Sequence, residues 1–480
     1  AIDVRLVGSE MCIRDRSTRF KFNYSSGAIA NGIKTDMFTF FLLFFYSRVI
    51  GLDPLLASLA IGLALIVDSF TDPIMGTISD RTNSKFGRRH PFMFVSFLPV
   101  GIFYILLFSP TPEWDISQNQ LFWWMFICTS FTRIGMTLFD VPHRSFGAEI
   151  TKDYIERTKL FSWREMFSWI AGICNAFLAY NIFFKSTSEY PFGQLNPEAY
   201  FPLALTGAFF MMLGILYSTI STRNNINLLS SWTGGTSFSQ IISELKIAIS
   251  NRSFILFFLG NLTLSISWGL LNSLTLFINT DFWGLRGDQI GIFLYLYFAA
   301  AFLAFAITPK FVSKIGKRNF VLFCVSGVAL TSPMAFIFYN LGLTPEKGTT
   351  ELVLFLCLPL IFVSTLSIAG NMARDAMIGD IADEVDLQSG KRQEGVLYSA
   401  VSFIQKVNTA FGALTGGLTL WILNISKDTP TYDQAYALFF VQGVIGPILL
   451  VIPLIFFYFY SLDKKRHSEI LMKIEERNNF

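Results

Sequence analysis

The sequence predicts an all-α membrane protein whose twelve transmembrane helices form two pseudo-symmetric six-helix halves. Three observations carry that prediction: low charge beside high apolar content, apolar blocks of membrane-spanning length, and short motifs repeated at matching places. Of 480 residues, 52% are hydrophobic, 16% aromatic and 15% charged. A soluble domain carries about 25% charged residues, and a soluble chain of this length usually divides into several domains. Here the apolar residues gather instead into blocks of roughly twenty, the length that crosses a hydrocarbon core.

The blocks lie near 24–50, 55–78, 91–109, 118–143, 161–184 and 199–221. A second set lies near 253–280, 288–309, 319–341, 351–373, 395–424 and 433–460. The longest polar connection, 222–252, separates the sets and contains SSWTGGTSFSQ, then IISELKIAIS. The latter predicts a short amphipathic helix along the membrane surface. The expected plan is therefore an N-terminal half over 17–221, a linker over 222–252, a C-terminal half over 253–461 and a tail over 462–480. Residues 1–16, AIDVRLVGSEMCIRDR, are polar, have no apolar signal-peptide core and resemble translated adapter sequence, so they are expected to be non-native.

Lysine and arginine set the expected orientation. Arg81, Lys85, Arg88 and Arg89 follow block two, and Lys310, Lys314, Lys317 and Arg318 follow block eight. The tail KKRHSEILMKIEER is also basic, whereas TPEWD after block three has no Lys or Arg. Both termini are expected in the cytoplasm and the protein in the cell inner membrane. The net charge of +3 is small and sits in short loops, which gives no case for nucleic acid. The five cysteines, Cys12, Cys128, Cys174, Cys324 and Cys357, form no CxxC or Cys/His cluster, so they are expected to pack helices rather than hold zinc or a disulfide framework. No phosphate loop or nucleophile elbow is present, so neither an enzyme nor a cofactor is expected.

The halves echo each other. SKFGRR at 84–89 follows block two, and SKIGKR at 313–318 follows block eight. GAEI at 147–150 follows block four, and GDIA at 379–382 follows block ten. Two echoes in matching places predict a duplicated six-helix unit, the plan of many secondary transporters with a site near the bilayer midplane.

Ionisable residues at membrane depth are costly and mark function by default. Block two carries Asp68, Thr71 and Asp72, which the i, i+3, i+4 spacing places on one helix face. Two carboxylates one turn apart repel unless a cation or a proton lies between them. A hard cation held by oxygens is one solution, and Na⁺ is a candidate at Asp68 and Asp72; a structural pair with lysine is the other reading. Block four carries Arg133, Thr137, Asp140 and Arg144 at offsets 0, 4, 7 and 11, a polar stripe that must face water or protein. Interhelical salt bridging is its structural alternative. Arg164 and Glu165 open block five, where either a site role or snorkelling fits; Ser168 and Asn175 continue the Arg164 face. Block one holds Asn31, Lys34 and Asp36, the latter two on different faces. Lys406 in block eleven, beside Gln405 and Thr409, needs a carboxylate partner such as Asp68 or Asp72. Block seven carries Asn261, Ser265, Trp268 and Asn272, which either contact a polar ligand, with Trp268 as a stacking platform, or pack helices. His143 ends block four and carries only a weak proton-transfer signal.

DPIMGTISDRTNSKFGRRHP, DVPHRSFGAEITKDYIERT and GDIADEVDLQSGKRQEGVLYS resemble the glycoside–pentoside–hexuronide:cation symporters of the major facilitator superfamily. The resemblance runs from Tyr24 to the C-terminus and implies a Na⁺- or H⁺-coupled sugar symporter of major facilitator fold, a monomer in the lipid bilayer. It implies a cation site at Asp68, Thr71, Asp72 and Thr137, a sugar-binding aspartate at Asp140 and a helix-eleven lysine at Lys406. The family's helix-one sugar-binding aspartate falls on Gly32, with Asp36 one turn on as its substitute. Two family tryptophans fall on Arg144 and Asn371, and a helix-five arginine falls near Arg164 or Glu165. Arg133, Arg144 and Arg374 would suit a hexuronate; alternatively Arg144 and Arg374 pair with Asp375 as a gate, alongside Arg81, Arg88 and Arg89. The expected mechanism is alternating access. A lipid-like cargo or a non-transporting sensor are the alternatives.

Overall fold

The computed structural model describes residues 17–82, 84–150, 154–224, 250–389 and 410–479. Eleven helices among these are long and apolar enough to cross a membrane. They are α1 Ala28–Ile50, α2 Pro54–Ser79, α3 His90–Leu107, α4 Gln118–Glu149, α5 Lys159–Phe183, α6 Pro197–Thr222, α7 Arg252–Phe282, α8 Gly287–Ile315, α9 Lys317–Asn340, α10 Thr350–Gln388 and α12 Tyr432–Phe459. A shorter apolar helix, α11 Ala410–Ile422, occupies the described part of the eleventh block. The rest of that block, residues 1–16 and most of the predicted amphipathic segment lie outside the described residues.

Two helices outrun their predicted blocks. α4 continues six residues past 143 to Glu149, and α10 continues past 373 to Gln388. Hydropathy marks where lipid ends, whereas backbone hydrogen bonding continues until a cap or breaker stops it. Pro142 lies within α4 without ending it. Capping boxes start α4 at Ser117 with Gln120 and α12 at Thr431 with Gln434. Short π-helical turns, which the apolar pattern does not announce, interrupt α1 at Met37–Phe41 and Phe45–Ile50, end α5 at Ala179–Phe183 and end α7 at Ile278–Phe282.

The chain forms two compact units. The described parts of Ala1–Phe38, Leu63–Ala179 and Pro197–Gly235 make unit one; Thr39–Gly62, Tyr180–Asn196 and the described parts of Thr236–Phe480 make unit two. Two of the crossings between units fall in the π-helical turns of α1 and α5.

In unit one, α1 and α5 touch backbone to backbone. A Cβ on Gly32 would stand 1.9 Å from the Ser168 carbonyl oxygen, so only glycine permits this approach. Asn31 Nδ2 donates to Ser168 Oγ at 3.3 Å beside it. His143 is fully buried, stacked between Tyr24 and Phe139, with its Nε2 near the Tyr24 carbonyl and the Ser218 hydroxyl. That is a packed interior histidine.

The two sequence echoes meet one another in each unit. Gly87 and Gly316 both take left-handed backbone, at φ of 78° and 81°, turning the chain after α2 and α8. In unit one, Arg88 donates to Glu149 of the GAEI echo at 2.6 Å, and Arg89 donates to its other oxygen. In unit two, Lys317 donates to Asp380 of the GDIA echo at 2.5 Å. A basic residue of the first echo and a helical carboxylate of the second are thus conjoined twice in the same order. Arg81 is exposed. The basic tail forms α13, Lys464–Asn479, which docks on the end of α10 through Arg466 to Glu384 and Arg477 to Asp386.

At the opposite end of unit two, Arg48 of α1 is buried against Asp281 of α7, their side chains only 5% and 3% exposed. The guanidinium reaches Asp281 at 2.9 Å and also donates to the Lys427 carbonyl. On the next residue, the Lys347 ammonium stands 3.6 Å from the Phe282 ring centre, with Tyr339 and Tyr432 around it. Burial lowers the Lys347 pKa, a cost that the ring faces offset. Removing one partner of a buried pair strands the other charge at about 3–5 kcal/mol. Arg48→Met and Asp281→Asn should therefore each sharply lower the apparent melting midpoint in detergent. The double variant Arg48→Met/Asp281→Asn should lose less than the sum, which a double-mutant cycle would read.

Candidate functional site

The costly residues of unit one converge along α4, whose stripe meets α2 at one end and α5 at the other. On α2, Asp68 is buried and Asp72 half-buried. The Thr137 hydroxyl of α4 lies 3.1 Å from Asp68 Oδ1 and 2.7 Å from Asp72 Oδ1. One hydroxyl carries one proton, so Thr137 donates to one of the two carboxylate oxygens at a time, and the three oxygens form a cluster. Such a donor set suits a hard monovalent cation or a proton. Thr71 instead turns its hydroxyl to the Asp68 carbonyl at 3.1 Å, a bond within its own helix.

One turn from Thr137, Arg133 is buried, with its Nη1 3.6 Å from Asp68 Oδ2 and its guanidinium over the Phe38 ring at 5.2 Å. The sequence admits Arg133 as a solute ligand; in the structure it lies beside the carboxylate pair. On the other side, three residues along α4, lies Asp140. Arg144 donates to its Oδ2 at 2.7 Å, and Arg164 donates to its Oδ1. Arg164 also donates to Glu165 at 2.7 Å. The Arg164 side chain is 0% exposed, so it does not snorkel, while the Arg144 side chain is 49% exposed. Asp140 is therefore the centre of a carboxylate held by two guanidiniums.

Asp36 is buried on α1 and accepts from Asn175 Nδ2 of α5 at 2.8 Å, one turn from the closed Gly32 contact. In unit two, Arg374 donates to Asn371 at 3.0 Å and interacts electrostatically with Asp375. Trp268 packs against the apolar cluster of Phe257, Phe320, Cys324 and Phe457, the helix-packing alternative of the sequence reading. Asn261 bonds its own helix at the Phe257 carbonyl. Lys406, Gln405 and Thr409 lie outside the described residues.

The two arginines on Asp140 differ in what their removal costs. Arg164→Gln should lower the apparent melting midpoint strongly, because it strips a fully buried charge from Asp140 at about 3–5 kcal/mol. Arg144→Gln removes a half-exposed partner and should cost about 0–1 kcal/mol. Parallel thermal unfolding of the purified variants checks the order.

Three comparisons bear on identity. The family model described as MFS/sugar transport protein matches residues 23–464. An uncharacterised symporter of Synechocystis is 25% identical, over 95% of this chain and 96% of its own. A glucuronide carrier protein homolog of Escherichia coli is 24% identical, over 96% of both chains. Among solved structures, the inward-open xylose transporter XylE of E. coli superposes with a TM-score of 0.59 at 14% identity, covering 94% of this chain and 98% of its own; that likeness shows the fold.

Proposed function

Because the chain belongs to the MFS/sugar transport protein family, we propose that it moves a glycoside, pentoside or hexuronide with Na⁺ or H⁺ by alternating access. The observation that supports this most is the spacing on α4. Thr137 closes the carboxylate cluster, and Asp140 lies three residues further along the same helix. Three residues are about 4.5 Å of helical rise.

In this reading, Asp68, Asp72 and Thr137 take the coupling cation. Their charge draws it, and their convergence on one hydroxyl fixes the rotation of α4 against α2. That ordering sets Asp140, with Arg144 and Arg164, for the hydroxyls of the solute. Asp140 supplies acceptors on its remaining lone pairs, and the guanidiniums supply donors. The half-exposed Arg144 is the group that a hexuronate carboxylate would engage, in keeping with the likeness to the glucuronide carrier protein homolog. Cation and solute then raise each other's affinity by a common factor. The halves, 17–221 and 253–461, move against each other; the Arg88–Glu149 and Lys317–Asp380 contacts tie each basic segment to a helix of its own half. The protein is placed in the inner membrane with both termini cytoplasmic, on the basic loops after α2 and α8.

The test is uptake of labelled neutral and acidic sugars into proteoliposomes under an inward Na⁺ gradient, then under a pH gradient. Accumulation of one sugar above its outside concentration under either gradient is expected. Failure of every sugar under both gradients contradicts the reading.

A further inference from the structure

Arg133 is not needed to complete the oxygen cluster, yet it is placed where it controls the cluster's charge. Asp68 and Asp72 bring two carboxylates together; Arg133 sets one positive charge against Asp68, and Lys34 of α1 acts on the same carboxylate. The 3.6 Å between Arg133 Nη1 and Asp68 Oδ2 is too long for a hydrogen bond. The guanidinium therefore balances Asp68 without closing round it. Its Nε is buried with no hydrogen-bond partner among the described residues, and its face rests on Phe38. A guanidinium is thus held in an apolar setting by an aromatic face and a carboxylate at Coulomb distance, and it addresses Asp68 Oδ2. The oxygens that converge with Thr137 are Asp68 Oδ1 and Asp72 Oδ1, on the other side.

Resting on the symport reading above, we propose that Arg133 is a tethered counter-cation that competes electrostatically with the coupling ion at Asp68. It lowers the net negative charge that a cation meets at the carboxylates, so that a bound monovalent cation can leave again. A site of two unbalanced carboxylates would hold its ion more tightly and release it more slowly. Arg133 is in this account a specificity-determining residue of the cation step. It positions no solute.

The test is Na⁺ binding to the purified, detergent-solubilised full chain, measured by isothermal titration calorimetry without sugar. Wild type is compared with Arg133→Gln, Arg133→Met and Arg133→Lys, each checked for a monodisperse elution profile. Arg133→Gln should bind Na⁺ at least tenfold more tightly, within the roughly ten- to thousandfold effect of one charge at this range. Arg133→Met should behave alike, and Arg133→Lys, which keeps the charge, should stay within about threefold of wild type on the same argument. Unchanged or weaker Na⁺ binding in both neutral variants overturns the proposal; so does loss of sugar binding with Na⁺ affinity untouched, which would make Arg133 a solute ligand. Absence of Na⁺ binding in every variant also overturns it. That last result leaves the symport reading standing if sugar uptake still follows a pH gradient, so the two failures are distinguishable.

Discussion

Asp72→Asn is expected to abolish gradient-driven accumulation and reduce cation affinity by about a hundredfold, in the middle of the range for one charge at contact distance. Asparagine keeps the shape and an oxygen for the Thr137 hydroxyl, which lies 2.7 Å from Asp72 Oδ1 in the native protein. What it removes is charge. With Arg133 beside Asp68, the variant cluster has lost one of its two carboxylates while keeping its guanidinium, so the attraction for a cation falls. Sugar should still exchange down its own gradient, because Asp140, Arg144 and Arg164 are untouched. The check is solute accumulation against counterflow in the same proteoliposomes. Accumulation lost with counterflow retained is the expected pattern. Accumulation retained would mean that Asp72 is not a coupling residue.

Gly32→Asp is expected to fail outright. It restores the aspartate that the family resemblance puts at this position. The added Cβ, however, would meet the Ser168 carbonyl oxygen at 1.9 Å and its carbon at 2.8 Å. Both are backbone atoms of α5, so no side-chain rotation relieves the clash. α1 and α5 would have to separate, which also breaks the Asn175–Asp36 hydrogen bond one turn away. Overpacking of a well-packed interior costs about 1–3 kcal/mol, and a backbone clash lies at or above the upper end. Gly32→Ala should be nearly as damaging as Gly32→Asp, since the first carbon carries the clash. Yield and apparent melting midpoint in detergent check this. A Gly32→Asp protein that folds normally and binds sugar more tightly would show that α1 and α5 need no such approach.

These two residues illustrate what could be read from the sequence. The Asp68–Asp72 spacing on a helix is local, so the carboxylate face was legible from the i, i+4 rule. The offsets of Arg133, Thr137, Asp140 and Arg144 were legible for the same reason. Which neighbour each would meet was not, because that depends on packing between helices distant in sequence. Hence the sequence admits Arg133 as a solute ligand although it lies beside Asp68, and leaves Arg164 between a site role and snorkelling although its side chain is fully buried. The Arg48–Asp281 pair joins residues 233 apart and carries no local signal. A weak signal exists in the echoes: SKFGRR and SKIGKR are basic where GAEI and GDIA are acidic, a complementarity that matches the Arg88–Glu149 and Lys317–Asp380 contacts without by itself pairing them. The π-helical turns had no signal in the apolar pattern, since one extra residue per turn barely changes a block of twenty.

The central claim is that the Asp68–Asp72–Thr137 cluster and the Asp140 cluster act on each other through one turn of α4. The most direct measurement is reciprocal binding on the purified chain: sugar affinity with and without saturating coupling cation, and cation affinity with and without saturating sugar. Linkage predicts the same factor in both directions, and α4 predicts its collapse to one in Thr137→Val, which loses the hydroxyl shared by the carboxylates. Independent binding of the two ligands to wild type, with a factor of one in each direction, would contradict the account.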